Sequence, residues 1–105
     1  MILLHIVTKS KRQANEIADY LIEQKLILDA VILEKVGVRE KAADGGVVTV
    51  KKIMIMGKTK SLLFPYIDKK LRAKYSDKMP VLYSVAIVNM DWEQANELIS
   101  ETAKV

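Results

Sequence analysis

Two short, almost wholly apolar runs, Ile2 to Val7 and Val81 to Val88, bracket this chain and constrain its fold more than any other feature. Runs of six to eight residues suit strands, and side chains that are apolar at successive positions face both sides of a sheet. His5 interrupts the first run, and Pro80 stands at the leading edge of the second, where proline is tolerated. Both runs read as central strands that need cover on two faces.

The residues between them alternate in period. Ser10 and Gln13 have capping-box spacing, and Ala14, Ile17, Ala18, Leu21 and Ile22 recur at helical intervals, predicting a helix to about Lys25. Leu28 to Val38 is rich in β-branched residues, with Ala30, Ile32, Glu34, Val36 and Val38 expected on one side and Val31, Leu33 and Lys35 on the other. Polar Arg39 to Gly46 then joins this strand to Val47 to Met56 as a hairpin. A second helix has Thr59 or Ser61 as its cap, Pro65 in its first turn and a stripe of Phe64, Ile67 and Leu71. Asp91 with Gln94 caps a last helix expected to bury Trp92, Ala95, Leu98, Ile99 and Thr102.

The order β, α, β, β, α, β matches the split βαβ pattern of a ferredoxin-like α+β sandwich: a four-stranded antiparallel sheet, here with an extra C-terminal helix. With 105 residues, one domain spanning 1–105 is expected. Helices in this arrangement cover one sheet face. The other face would expose more apolar surface than monomers usually carry, and a second copy of the same sheet is the simplest cover. A charge at Leu4 or Val85 is expected to disrupt folding and assembly together.

Absent residue types exclude whole chemistries. There is no cysteine, which removes disulfide scaffolds, thiolate zinc and iron–sulfur sites and thiol nucleophiles. The apolar N-terminal run is too short to span a membrane and lacks a signal peptide's flanks, so a cytoplasmic address with no membrane partner is expected. The net charge of +4 comes from interspersed basic and acidic residues, and no nucleic-acid-binding motif is present, so no nucleic-acid partner is expected. No nucleophile with its base and no carboxylate pair is legible, which argues against an enzyme.

Three segments resemble the CutA family. Ile17 to Leu26 is similar to its first helix, ending in a glutamate, a basic residue and leucine. Lys52 to Thr59 looks like its third strand, which closes on a lysine-threonine pair, and Tyr75 to Leu82, with Pro80, resembles its segment from histidine-proline-tyrosine to proline-glutamate-isoleucine. The resemblance implies a trimer with clefts between subunits, related to the PII signalling proteins. Where the family has a strand-two cysteine this chain has Asp29, where it has histidine, proline and tyrosine it has Tyr75, Ser76 and Asp77, and the glutamate after proline is Val81. The family's proposed metal and cleft chemistry is therefore not carried over.

Each candidate residue has a functional and a plainer reading. His5, the only histidine, suits a hydrogen-bonded core or interface position, or a metal ligand, with Asp29 as the second candidate metal residue. Met54 and Met56 share one side of a strand; thioethers suit Cu(I), but packing is the preferred reading. Thr8 to Arg12 and Gly57 to Ser61 put hydroxyls and cations at helix N-termini, where anions bind, but neither has the glycine spacing of a P-loop or Rossmann turn, and capping with solvation is the preferred reading. Lys58 and Thr59 rank first there, with Tyr75 and Asp77 as further ligand-binding candidates. The loop from Val38 to Gly46 occupies the place of the PII partner-binding loop but is much shorter. Lys69, Lys70, Arg72, Lys74 and Lys78 read as a solvated helix face.

Three functions follow, in order: a non-enzymatic CutA-like homotrimer linked to tolerance of a divalent metal or copper, or to small-ligand sensing; a PII-like module binding a nucleotide or other anion; and a small enzyme acting on an anionic substrate. The last requires a water-excluding pocket around Tyr75, Asp77 and Lys58.

Overall fold

The computed structural model describes residues 1–105. Four strands form one antiparallel sheet: β1 (Ile2–Thr8), β2 (Val31–Lys41), β3 (Val47–Thr59) and β4 (Val81–Ala86). Their order is β2-β3-β1-β4, the ferredoxin-like arrangement. Three helices accompany it: α1 (Lys11–Glu23), α2 (Phe64–Tyr75) and α3 (Trp92–Glu101). β1 is central as expected, whereas β4 lies at the sheet edge and has β1 as its only neighbour.

Strict alternation of burial along β1 defines two faces. Ile2, Leu4, Ile6 and Thr8 point inward and are buried; Leu3, His5 and Val7 point the other way. The inward set joins Ala14, Ile17 and Leu21 of α1, Ile53 and Ile55 of β3, and Ile67 and Leu71 of α2 in one core. α1 starts at its expected cap, with Ser10 Oγ accepting from Gln13 N at 3.1 Å. It ends in a Schellman pattern, Leu26 N donating to Leu21 O at 2.8 Å and Lys25 N to Ile22 O at 3.0 Å.

Three further expectations are corrected. Neither Thr59 nor Ser61 caps α2; a single 3-10 turn, Ser61–Leu63, precedes it, with Pro65 in the first turn of α2. On α3 only Leu98 is buried, with Thr102 following the helix, while Trp92 is 70% exposed and Ile99 half exposed. The tail after α3 is tied down instead by polar bonds, Lys60 Nζ donating to Ala103 O at 2.8 Å and Ala103 N to Lys25 O at 2.7 Å.

The third correction is in β2, which continues past Val38 to Lys41 and carries a bulge where the register shifts between Leu33 and Val36. Lys35 adopts φ 58 there. The extra residue resets the alternation, so Val31 and Leu33 share a face with Val36 and Val38, contrary to simple period-two counting. The resulting open face of the sheet runs from Val31 and Leu33 through Met56 and Met54, then Leu3 and Val7, to Val81, Tyr83 and Val85. Val31, Leu33, Val81, Tyr83 and Val85 are each 42% to 55% exposed.

From Val47 to Lys52, β3 pairs with β2 alone, and the two strands project as a ribbon that stretches the molecule to 49 × 29 × 20 Å. At its tip Gly45 takes φ 89, which favours glycine, and Asp44 Oδ1 accepts from Gly46 N at 2.8 Å.

Candidate functional site

An open groove of about 780 Å3 lies at the end of the sheet where β1 leads into α1 and where the chain enters β4. Thr8, Lys9, Ser10 and Arg12 line one side, and Tyr75, Asp77, Lys78 and Pro80 the other. Its walls are bound together by Gln13: the Thr8 hydroxyl donates to its side-chain oxygen, and its amide nitrogen donates to Lys78 O at 2.8 Å. Glu16 links the two helices at the groove wall. Its Oε1 accepts from the Tyr75 hydroxyl at 3.2 Å and its Oε2 pairs with Arg12 Nε at 3.2 Å. Burial, then the hydrogen bond to Glu16 and that carboxylate's charge, pushes the Tyr75 phenol up to about 12. Lys52, also at the groove, pairs with Glu40 at 3.1 Å, whereas Lys9 and Lys78 form no ion pair.

Tyr75 and Asp77 are therefore brought together as candidate ligand residues, and Lys58 and Thr59 are not with them. Thr59 lies opposite Ile2 and Lys58 opposite Leu3, at the other end of β1 from Thr8. Five to six residue steps of strand separate the two ends, roughly 17–20 Å. Thr59 is fully buried, and its hydroxyl donates to Leu26 O at 2.6 Å, anchoring the turn after α1 to the sheet. Lys58 Nζ is 3.5 Å from Asp29 Oδ1, an exposed ion pair. The pocket that an enzyme would need around Tyr75, Asp77 and Lys58 is not formed.

Asp29 is thus engaged with Lys58, and no group of three or more histidine, cysteine, aspartate or glutamate side chains is placed to hold a metal ion. His5 sits apart, on the open sheet face, with Nδ1 3.1 Å from the Tyr83 hydroxyl and the two rings edge to face at 5.0 Å. Sequence reasoning missed Glu16 and Tyr83. Glu16 follows Arg12 by one helical turn, a spacing that would have suggested the pair. Tyr83 faces His5 only through the β1–β4 register.

No protein-family sequence model matches the chain, and no curated protein matches it in sequence. Solved structures match it over its whole length. A divalent cation tolerance protein (CutA1) from Thermus thermophilus superposes with a TM-score of 0.84 at 22% identity, covering 98% of this chain and 100% of that one. CutA1 from Oryza sativa gives 0.85 at 17% identity, covering 99% and 94%. The periplasmic divalent cation tolerance protein CutA from Archaeoglobus fulgidus gives 0.81 at 20% identity, covering 96% and 98%. No helix here is long and apolar enough to cross a membrane. End to end, then, the chain has the fold of the CutA1 divalent cation tolerance proteins.

Proposed function

We propose that this protein is a divergent CutA-type homotrimer that serves divalent cation tolerance or small-ligand sensing without catalysis, with a cytoplasmic address. The observation that carries the proposal is the uncovered sheet face. Val31, Leu33, Val81, Tyr83 and Val85 stand exposed on a surface that continues through half-buried Met54 and Met56. Copies of the same face are its natural cover, because a head-to-tail contact between two patches of that face, repeated around a three-fold axis, closes into a ring without leaving an edge. The full-length likeness to divalent cation tolerance proteins supports the functional half. Clefts formed at the rims of such an assembly are where Lys58 would meet a ligand.

Light scattering coupled to size exclusion tests the assembly, with native mass spectrometry of the same peak reading any retained ion. The expected species has three times the chain mass of 11.9 kDa; a monomer sinks the proposal. Fractionation of the native host tests the address, a distinction made pointed by the periplasmic Archaeoglobus protein.

A second reading, a module that binds a nucleotide or other anion, draws on the groove, where Lys9 and Lys78 have no acidic partner. Calorimetric titration with ATP tests it. Binding heat that Lys78→Glu abolishes supports this reading, and absence of heat removes it.

A further inference from the structure

We propose that the outward face of α2 is a docking surface for single-stranded nucleic acid, with Lys69, Lys70 and Lys74 taking backbone phosphates and the ring of Tyr66 receiving a base. Basic and acidic residues are interspersed along the sequence, and on that ground no nucleic-acid partner is expected. The fold sorts them. Asp68, the one acid within α2, is held by Arg72 at 3.2 Å, and Glu16 of α1 is held by Arg12 at 3.2 Å. Four more acids, Asp91, Glu93, Glu97 and Glu101, gather on α3 and its cap. Lys69, Lys70 and Lys74 are left exposed on α2, and none of them forms an ion pair.

Helical geometry sets where these charges point. Ile67 and Leu71 bury the inner side of α2 in the core, so Tyr66, Lys69, Lys70 and Ala73 stand on the opposite side, exposed. Tyr66 is 46% exposed, and Lys70 Nζ lies 5.3 Å from the centre of its ring. Lys74 Nζ lies 5.7 Å from the ring of Tyr20 and 5.5 Å from that of Tyr75. Such contacts position an ammonium group without cancelling its charge. Because α2 packs on the core side of the sheet, copies that cover the open face leave this surface free.

Charge complementarity calls for a polyanion, and the exposed ring selects among polyanions. Single strands are held by cations that follow the phosphates and by aromatic rings on which bases stack, whatever their identity. A duplex offers the phosphates but keeps its bases stacked within, leaving Tyr66 without a partner. A lipid surface takes up several apolar side chains, whereas Leu62, in the turn before α2 and 72% exposed, is the one large exposed aliphatic side chain here. Phosphate contacts carry no base information, so binding without a sequence motif is the expected mode.

The test is fluorescence anisotropy of a labelled twenty-nucleotide oligo-dT strand titrated with the full chain at about 50 mM salt, beside a duplex of equal length. Saturable binding is expected, tighter for the single strand, with log affinity falling against log salt at a slope of about −2, as about three neutralised phosphates require. Lys69→Gln with Lys70→Gln should reduce that slope by more than half. Tyr66→Ala should weaken the single strand about fivefold or more and leave the duplex unchanged. All three positions are exposed, and circular dichroism checks that the variants fold. Lys41→Gln with Lys51→Gln makes the same change in net charge on the β2–β3 ribbon and should leave binding as in wild type. No binding at that salt, or equal loss in the ribbon variant, would overturn the proposal. So would a Tyr66→Ala protein that binds the strand as before, or capture by phosphatidylserine vesicles in preference to the strand. Light scattering on the same samples keeps the readings apart: a trimer that ignores the strand removes this proposal alone, and a monomer that binds it removes only the assembly.

Discussion

Lys25 adopts φ 58 at the position after the α1 C-cap, where helices usually place glycine. A lysine in the left-handed region carries a steric cost that glycine escapes, so Lys25→Gly is expected to stabilise the protein by about 1 kcal/mol. Thermal denaturation should show a Tm higher by roughly 4 °C, and an unchanged or lower Tm would contradict the capping account. Tyr75 makes the pH-dependent contribution. Its phenol is pushed up to about 12 by burial and by Glu16, so the fold favours the neutral form. That stability is complete below the ordinary phenol value of about 10 and is lost as pH rises through the folded value. Wild type should therefore lose stability more steeply than Tyr75→Phe between about pH 10 and about pH 12 in denaturant titrations; parallel curves would sink the assignment. At this scale, what could be read in advance was local. Ser10 and Asp91 cap their helices as their spacing implies. The Thr59 hydroxyl could not be placed, because its acceptor, Leu26 O, is 33 residues away.

The β2 bulge is the feature of the elements on which most depends. By inserting Lys35 the strand changes phase, and Val36 and Val38 continue the face begun by Val31 and Leu33. Deleting Lys35 should remove the bulge and restore regular pairing, with Glu34 alone opposite Ile53 and with Val36 and Val38 still on the open face. The expected outcome is a folded chain that self-associates like wild type by light scattering; a folded chain that stays monomeric would show that assembly needs the bend and twist that the bulge gives the ribbon. Strand and helix identities were legible from periodicity, since alternation and the three-to-four spacing are each set by the backbone alone. The bulge was not, because an extra residue leaves no mark in composition. The expected buried stripe of α3 failed for a related reason: its period is helical, but the sheet offers it little surface, and Trp92 remains exposed.

At the scale of the molecule, the two faces of the sheet separate folding from assembly. Leu4 is 1% exposed and belongs to the core, whereas Val85 is 48% exposed on the open face. Leu4→Asp should unfold the chain, since an unpaired buried carboxylate costs several kcal/mol against a stability of about 5–15 kcal/mol. Val85→Asp should leave a circular dichroism spectrum like that of wild type while reducing the oligomer to monomer. This replaces the expectation that both substitutions act alike, and a Val85→Asp protein that still assembles would place the interface elsewhere.

The chain's own pattern determined the order of its elements and the existence of a second apolar face, because these depend on side-chain period and on the number of apolar residues available. It also determined what chemistry is missing, since no fold can supply a cysteine or a second histidine. Tertiary structure alone decided which candidate residues meet. It divided Lys58 and Thr59 from Tyr75 and Asp77, gave Asp29 to Lys58, and set His5 between Tyr83 and Met56. Those outcomes follow from strand register, and register is fixed by pairings between residues far apart in the chain, such as Ile2 with Ala86.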